Sequence, residues 1–179
     1  MNQIVPKTTR KVWSIFAVLA VTAMCLLACR GGTSDWRVSE GQLLPEFTLR
    51  TPDGKSVSTS EYRGKIVVLT RFATWCPPCK IELGELQKRV WEPMKDRGVM
   101  VVAVSSGEDP QTVASYVERE GLTFPVLVDP SGEFARGVGG NSIPRLMLLD
   151  RDQYIRKLHV GYYEPEFQKL VEEVEALAR

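Results

Sequence analysis

The stretch RFATWCPPCKIELGEL, Arg71 to Leu86, sets two cysteines two residues apart with only prolines between them. Such a pair serves one of four purposes: holding a metal, stapling a fold, attaching a haem or exchanging electrons. Just upstream, KIVVLTRF (residues 65–72) is a continuous apolar, β-branched run, the pattern of a strand covered on both faces. Downstream the spacing is helical. Pro77 suits the first helical position, where a missing N–H costs nothing. Cys79, Leu83, Leu86 and Val90 then fall on one stripe, with Glu82, Glu85, Lys88 and Arg89 on other faces. Pro93 is expected to kink this helix and Gly98 to end it.

The N-terminus bears on how many cysteines are available. Lys7, Arg10 and Lys11 precede an uncharged apolar run, Val12 to Ala28, which is short for a membrane span. A basic segment followed by such a run reads as a secretory signal peptide, with an uncleaved signal anchor as the rival. The run ends in LLAC, Leu26 to Cys29, which resembles the bacterial lipobox; Cys25 is a poor competitor because bulky Met24 precedes it. Residues 1–28 are therefore expected to be a lipoprotein signal peptide, with Cys29 lipidated and 29–37 a short tether rich in small residues. Either reading puts the domain outside the cytoplasm and attached to a membrane.

Of four cysteines, only Cys76 and Cys79 then keep free thiols. A bridge across two residues constrains almost nothing in the unfolded chain, so it is no structural staple. Zinc wants four ligands, and after residue 28 the chain has one histidine, His159. Haem attachment wants a histidine after the second cysteine, where Lys80 stands. Peroxidases of the peroxiredoxin type carry a proline seven residues, and Ser or Thr three residues, before the reactive cysteine. Those positions are Leu69 and Ala73. Removing residues 1–28 leaves 20 basic and 22 acidic side chains, a formal charge of −2, and nothing suggests a nucleic-acid surface. Dithiol exchange remains. Cys76 at a helix start has free N–H groups and the dipole to stabilise its thiolate, and Cys79 lies one turn on.

The 179 residues suffice for one domain of ordinary size beyond a leader. EFTLRTPDGKSVST reads as a hairpin turning at Pro52-Asp53-Gly54. VMVVAV is a second buried strand, Asp109-Pro110 opens a helix closed by Gly121, and FPVLVD is a short strand. SGEFARGVG is a loose helical turn. RLMLLD and YIRKLHV form a hairpin, and Phe167, Leu170, Val171, Val174 and Leu177 mark a last helix. This order implies an α/β fold with a mixed sheet and helices on both faces.

FATWCPPCKIELGEL, the early hairpin and the later SIPRLMLLD together resemble the membrane-tethered thioredoxin-like proteins of the TlpA/ResA family, over residues 38–179. The resemblance implies a thioredoxin fold with an N-terminal β-hairpin and a β/α insertion near residues 105–130. It implies a thiol–disulfide oxidoreductase that needs no cofactor and no metal. Cys76 would be the nucleophile and Cys79 the resolving thiol, with Trp75 shielding the site and Pro77 and Pro78 stiffening its turn. Ile143-Pro144 would be a cis bond packed against the disulfide, its preceding backbone pairing with the client. Glu82 matches a glutamate assigned to proton handling, weighed against an ordinary solvated helix residue. Expected partners are protein disulfide or dithiol clients and a membrane thiol–disulfide transporter as electron donor, as in cytochrome c maturation. A periplasmic oxidant and a peptide-binding lipoprotein module are the other readings.

Two positions depart from the pattern. Thr70 stands where thioredoxins proper carry a buried Asp, and Arg71 where the family usually has an aromatic. Arg71 is expected to snorkel out of the sheet. His159, Trp91, Tyr162 and Tyr163 read as packing or solvated residues, and Glu108-Asp109-Pro110 as a helix cap.

Overall fold

The computed structural model describes residues 35–179. The expected signal peptide, Cys29 and the first part of the expected tether lie outside the described residues. Among the described residues no helix is long and apolar enough to cross a membrane. Asp35, Trp36 and Arg37, ahead of the expected boundary at residue 38, already bond to the domain.

The expected hairpin forms first, from β1 (Thr48–Arg50) and β2 (Ser56–Ser58). The apolar run becomes β3 (Ile66–Phe72), buried throughout, and leads into α1 (Pro77–Leu86). Where a kink was expected ahead of Pro93, the helix widens into a π turn over Gln87–Trp91. A proline there supplies no N–H and its ring crowds the carbonyl four residues back, so the ladder loosens by one residue. Two short turns follow, Glu92–Met94 and Lys95–Arg97, and Gly98 ends them in the left-handed conformation. Then come β4 (Val99–Ser106), α2 (Pro110–Glu120), β5 (Val126–Asp129) and α3 (Glu133–Val138). The chain finishes with the hairpin β6 (Arg145–Leu149) and β7 (Ile155–Val160), and with α4 (Glu164–Leu177).

The strands make one mixed sheet in the order β2-β1-β5-β4-β3-β6-β7. The centre, β5-β4-β3, is parallel; β6, β7 and the early hairpin add antiparallel edges. The α2–β5 stretch is the insertion read from residues 105–130, and it supplies the strand that joins the hairpin to the core.

Strand alternation sorts the buried runs between two cores. Ile66, Val68, Phe72, Leu146 and Leu148 pack under α1, α2 and α4 together with Cys76 and Cys79. Val67, Leu69, Met147 and Leu149 face the other way, against Val38, Leu44, Leu49, Phe134 and Val138. Thr70 continues the first series and Arg71 the second.

Candidate active site

The site is built where β3 ends and α1 begins. A turn closed by the Cys76 N–H to the Ala73 carbonyl (3.1 Å) brings the chain from sheet to helix. Cys76 is the helix N-cap, and its sulfur accepts the Cys79 N–H at 3.3 Å. Pro77 and Pro78 have no N–H to offer, so the Cys79 amide is the first donor the helix presents to that sulfur. Cys76 and Cys79 are joined, with an S–S distance of 2.07 Å.

The loop ahead of Cys76 is fixed by a residue that the sequence assigned only to a helix cap. The Glu108 carboxylate accepts the Thr74 N–H (2.9 Å), the Thr74 hydroxyl (2.5 Å) and the Ser105 hydroxyl (2.7 Å). Capping falls to its neighbour Asp109, which accepts the Thr112 N–H at 3.0 Å. With Thr74 drawn inward, the next side chain points out. Trp75 is 72% exposed, while Cys76 beside it is buried.

Glu82 corrects the helix reading. It was placed off the apolar stripe, yet it is only 1% exposed. The offsets from Cys79 are three to Glu82 and four to Leu83, and both belong to one helix face. Thr70, on the strand above, donates its hydroxyl to Glu82 Oε1 at 2.6 Å. Burial pushes the Glu82 carboxyl up to about 7, against the opposing pull of that hydrogen bond. A small cavity on this side is lined by Glu82, Leu146, His159, Tyr162, Glu166 and Phe167. His159 is half-buried, and burial lowers its pKa.

Arg71 is the second correction. It does not snorkel; it is 3% exposed. Its Nη1 donates to the carbonyls of Gly139 (3.0 Å) and Gly140 (2.9 Å), and its Nε to Ser106 Oγ (3.3 Å). Backbone carbonyls, rather than a carboxylate, accept the hydrogen bonds of its Nη1. Burial lowers its pKa.

The Ile143–Pro144 bond is cis. Arg145 pairs with Arg71, which sets Pro144 level with Phe72, at the sheet end from which the cysteine loop departs. Ile143 packs on the cluster that contains both cysteines, and the Pro144 carbonyl accepts the Gly161 N–H at 2.8 Å.

The Cys76–Cys79 disulfide at the helix start, the buried carboxyl one turn on and the cis-proline thus lie at one end of the sheet. Residues 39–176 match the Redoxin family model. The thiol-disulfide oxidoreductase ResA of Geobacillus thermodenitrificans is 31% identical over 129 residues, covering 72% of this chain and 74% of that protein. The chain belongs to the TlpA/ResA family. The thioredoxin-like protein YneN of Bacillus subtilis is 34% identical over 125 residues, 69% of this chain and 73% of its own. A solved thiol:disulfide interchange protein of the thioredoxin family from Chlorobium tepidum TLS superimposes with a TM-score of 0.66 at 26% identity. It covers 76% of this chain and 98% of its own. The protein is thus a thioredoxin-fold thiol–disulfide oxidoreductase.

Proposed function

We propose that the protein reduces protein disulfides outside the cytoplasm, held at a membrane by lipid on Cys29 and supplied with electrons by a membrane thiol–disulfide transporter. Cytochrome c maturation is the process in which we place it. The observation that carries this reading is the Cys76–Cys79 pair at the start of α1, with the Cys79 amide aimed at the Cys76 sulfur. A donor there favours a thiolate over a thiol, and the thiolate is the attacking form.

In the reduced protein the Cys76 thiolate attacks one sulfur of a client disulfide, forming a mixed disulfide and expelling the other client sulfur as thiolate. Cys79, deprotonated with Glu82 as acceptor, attacks Cys76 Sγ. The Cys76–Cys79 bond forms, the client leaves as a dithiol, and two electrons have moved from protein to client. The transporter returns them. Exposed Trp75 and the backbone before Pro144 receive the client strand, while Pro77 and Pro78 hold the turn.

The test is trapping in intact cells. Cys79→Ser is expected to accumulate client adducts through Cys76, and Cys76→Ser to accumulate few, because Cys79 is fully buried. Direction is read from the resting state. Acid-quenched cells should hold the pair mainly as dithiol, and loss of the transporter should oxidise it. A resting disulfide with the transporter intact would make the protein an oxidant. Cys29→Ala should leave an unprocessed, unacylated precursor; unchanged processing would remove the lipid anchor.

A further inference from the structure

The lead-in to the domain is bound to the loop that carries the cis-proline. The Arg37 N–H donates to the Val138 carbonyl at 2.8 Å, and Trp36 pairs with Gly139 in an antiparallel bridge. Asp35 Oδ2 accepts the Asn141 N–H at 3.2 Å, and Asp35 Oδ1 accepts from Arg145 Nη2. The Arg145 guanidinium also lies 4.3 Å from the centre of the Trp36 ring. Arg145 directly follows Pro144, and its Nε donates back to the Ser142 carbonyl at 3.1 Å. Among the described residues its buried Nη1 has no hydrogen-bond partner, and Asp35 is the one carboxylate paired with this 1% exposed cation.

Space is as tight as the bonding. A Cβ on Gly139 would sit 2.5 Å from the Arg37 nitrogen and the Asp35 carbonyl oxygen, and one on Gly140 would sit 1.8 Å from Arg145 Cζ. From the sheet side, Arg71 binds the carbonyls of the same two glycines. The loop is thus clasped between β3 and residues 35–37.

We propose that Asp35 and Trp36 form a strap that fixes loop 139–143 for client docking, with Asp35 a positioning residue for protein disulfides. This rests on the reading above that the backbone before Pro144 receives the client. A strap of this kind governs docking of an extended chain and leaves the exchange chemistry at Cys76 alone, since none of its bonds reaches either sulfur.

The experiment compares wild type, Asp35→Ala and Asp35→Glu on insulin and on hydroxyethyl disulfide, with amide hydrogen exchange on all three. Asp35→Ala is expected to raise the KM for insulin about tenfold, the loss of one well-placed contact, with kcat unchanged. The rate on hydroxyethyl disulfide should hold, and exchange should quicken only around residues 137–142. Asp35→Glu should restore most of the insulin KM. An unchanged insulin KM, or equal slowing on both substrates, would overturn the strap. So would unaltered exchange around the loop, which needs no activity to be read. Failure of wild type to reduce either disulfide strikes the redox reading instead.

Discussion

Thr70 and Arg71 are neighbours on β3, yet they open onto two sides of the sheet that treat a buried ionisable group in opposite ways. Beneath Thr70, Glu82 sits under the helices with one hydroxyl for company, and burial raises its pKa to about 7. Beyond Arg71 lie two buried guanidinium groups, Arg71 and Arg145, surrounded by carbonyl oxygens and one carboxylate. The difference follows from the titration chemistry. A carboxyl can shed its charge by taking a proton, so it tolerates a sparse environment. A guanidinium keeps its charge at any ordinary pH, so the fold must bring acceptors to it. The side that carries the redox chemistry holds Glu82, whose pKa burial has brought to about 7.

The largest expected effect tests the arginine side. Arg71→Leu strips donors from the Gly139 and Gly140 carbonyls, and two unsatisfied acceptors cost about 4 kcal/mol together. Denaturant melts should show that loss unchanged from pH 5 to pH 9. A neutral substitution would mean the carbonyl shell is not what holds this face together.

Glu82→Gln should move stability the other way, and only at higher pH. A carboxyl whose folded pKa is raised binds its proton more tightly when folded. Its contribution is full below the unfolded value near 4.5 and is lost as pH rises through about 7. The amide never charges, so the variant should be more stable than wild type by up to about 3 kcal/mol at pH 8 and equal to it near pH 4. Disulfide exchange should slow and its pH–rate profile should lose the inflection near 7. An unchanged profile would return Glu82 to a packing role. Thr70→Val gives the smallest effect. Without the hydroxyl the Glu82 pKa should climb further, carrying the inflection upward, at a stability cost of about 1 kcal/mol.

Most of the element order was legible because this fold writes its buried strands as unbroken β-branched runs and its turns with Gly, Pro and Asp. The site was legible in part. Cys76, Cys79 and the helix start follow from spacing alone, whereas the cis geometry at Pro144 came from resemblance. Glu82 was misplaced because a glutamate on a helix is normally solvated, although its offset of three from Cys79 puts it on the buried face. Glu108 read only as part of a helix cap. Its three acceptor contacts reach Thr74 and Ser105, and only the parallel pairing of β3 with β4 brings Thr74 within range. Arg71 was misread for a related reason. The carbonyls that hold it belong to residues 68 and 69 positions away, and no local pattern announces them.

The run just after the strap has a bearing on solubility. The outer edge of β7 would offer unpaired backbone groups to any extended chain nearby. Instead the Gly41 N–H donates to the Ile155 carbonyl, the Ile155 N–H to the Gln42 carbonyl, and the Leu158 N–H to the Glu40 carboxylate. The opposite edge, β2, is only three residues long. The β7 margin is thus covered, and the β2 margin is too short to template a long strand. Trimming the chain past Leu43 would open the β7 margin and leave an edge on which neighbouring chains could add strands and aggregate.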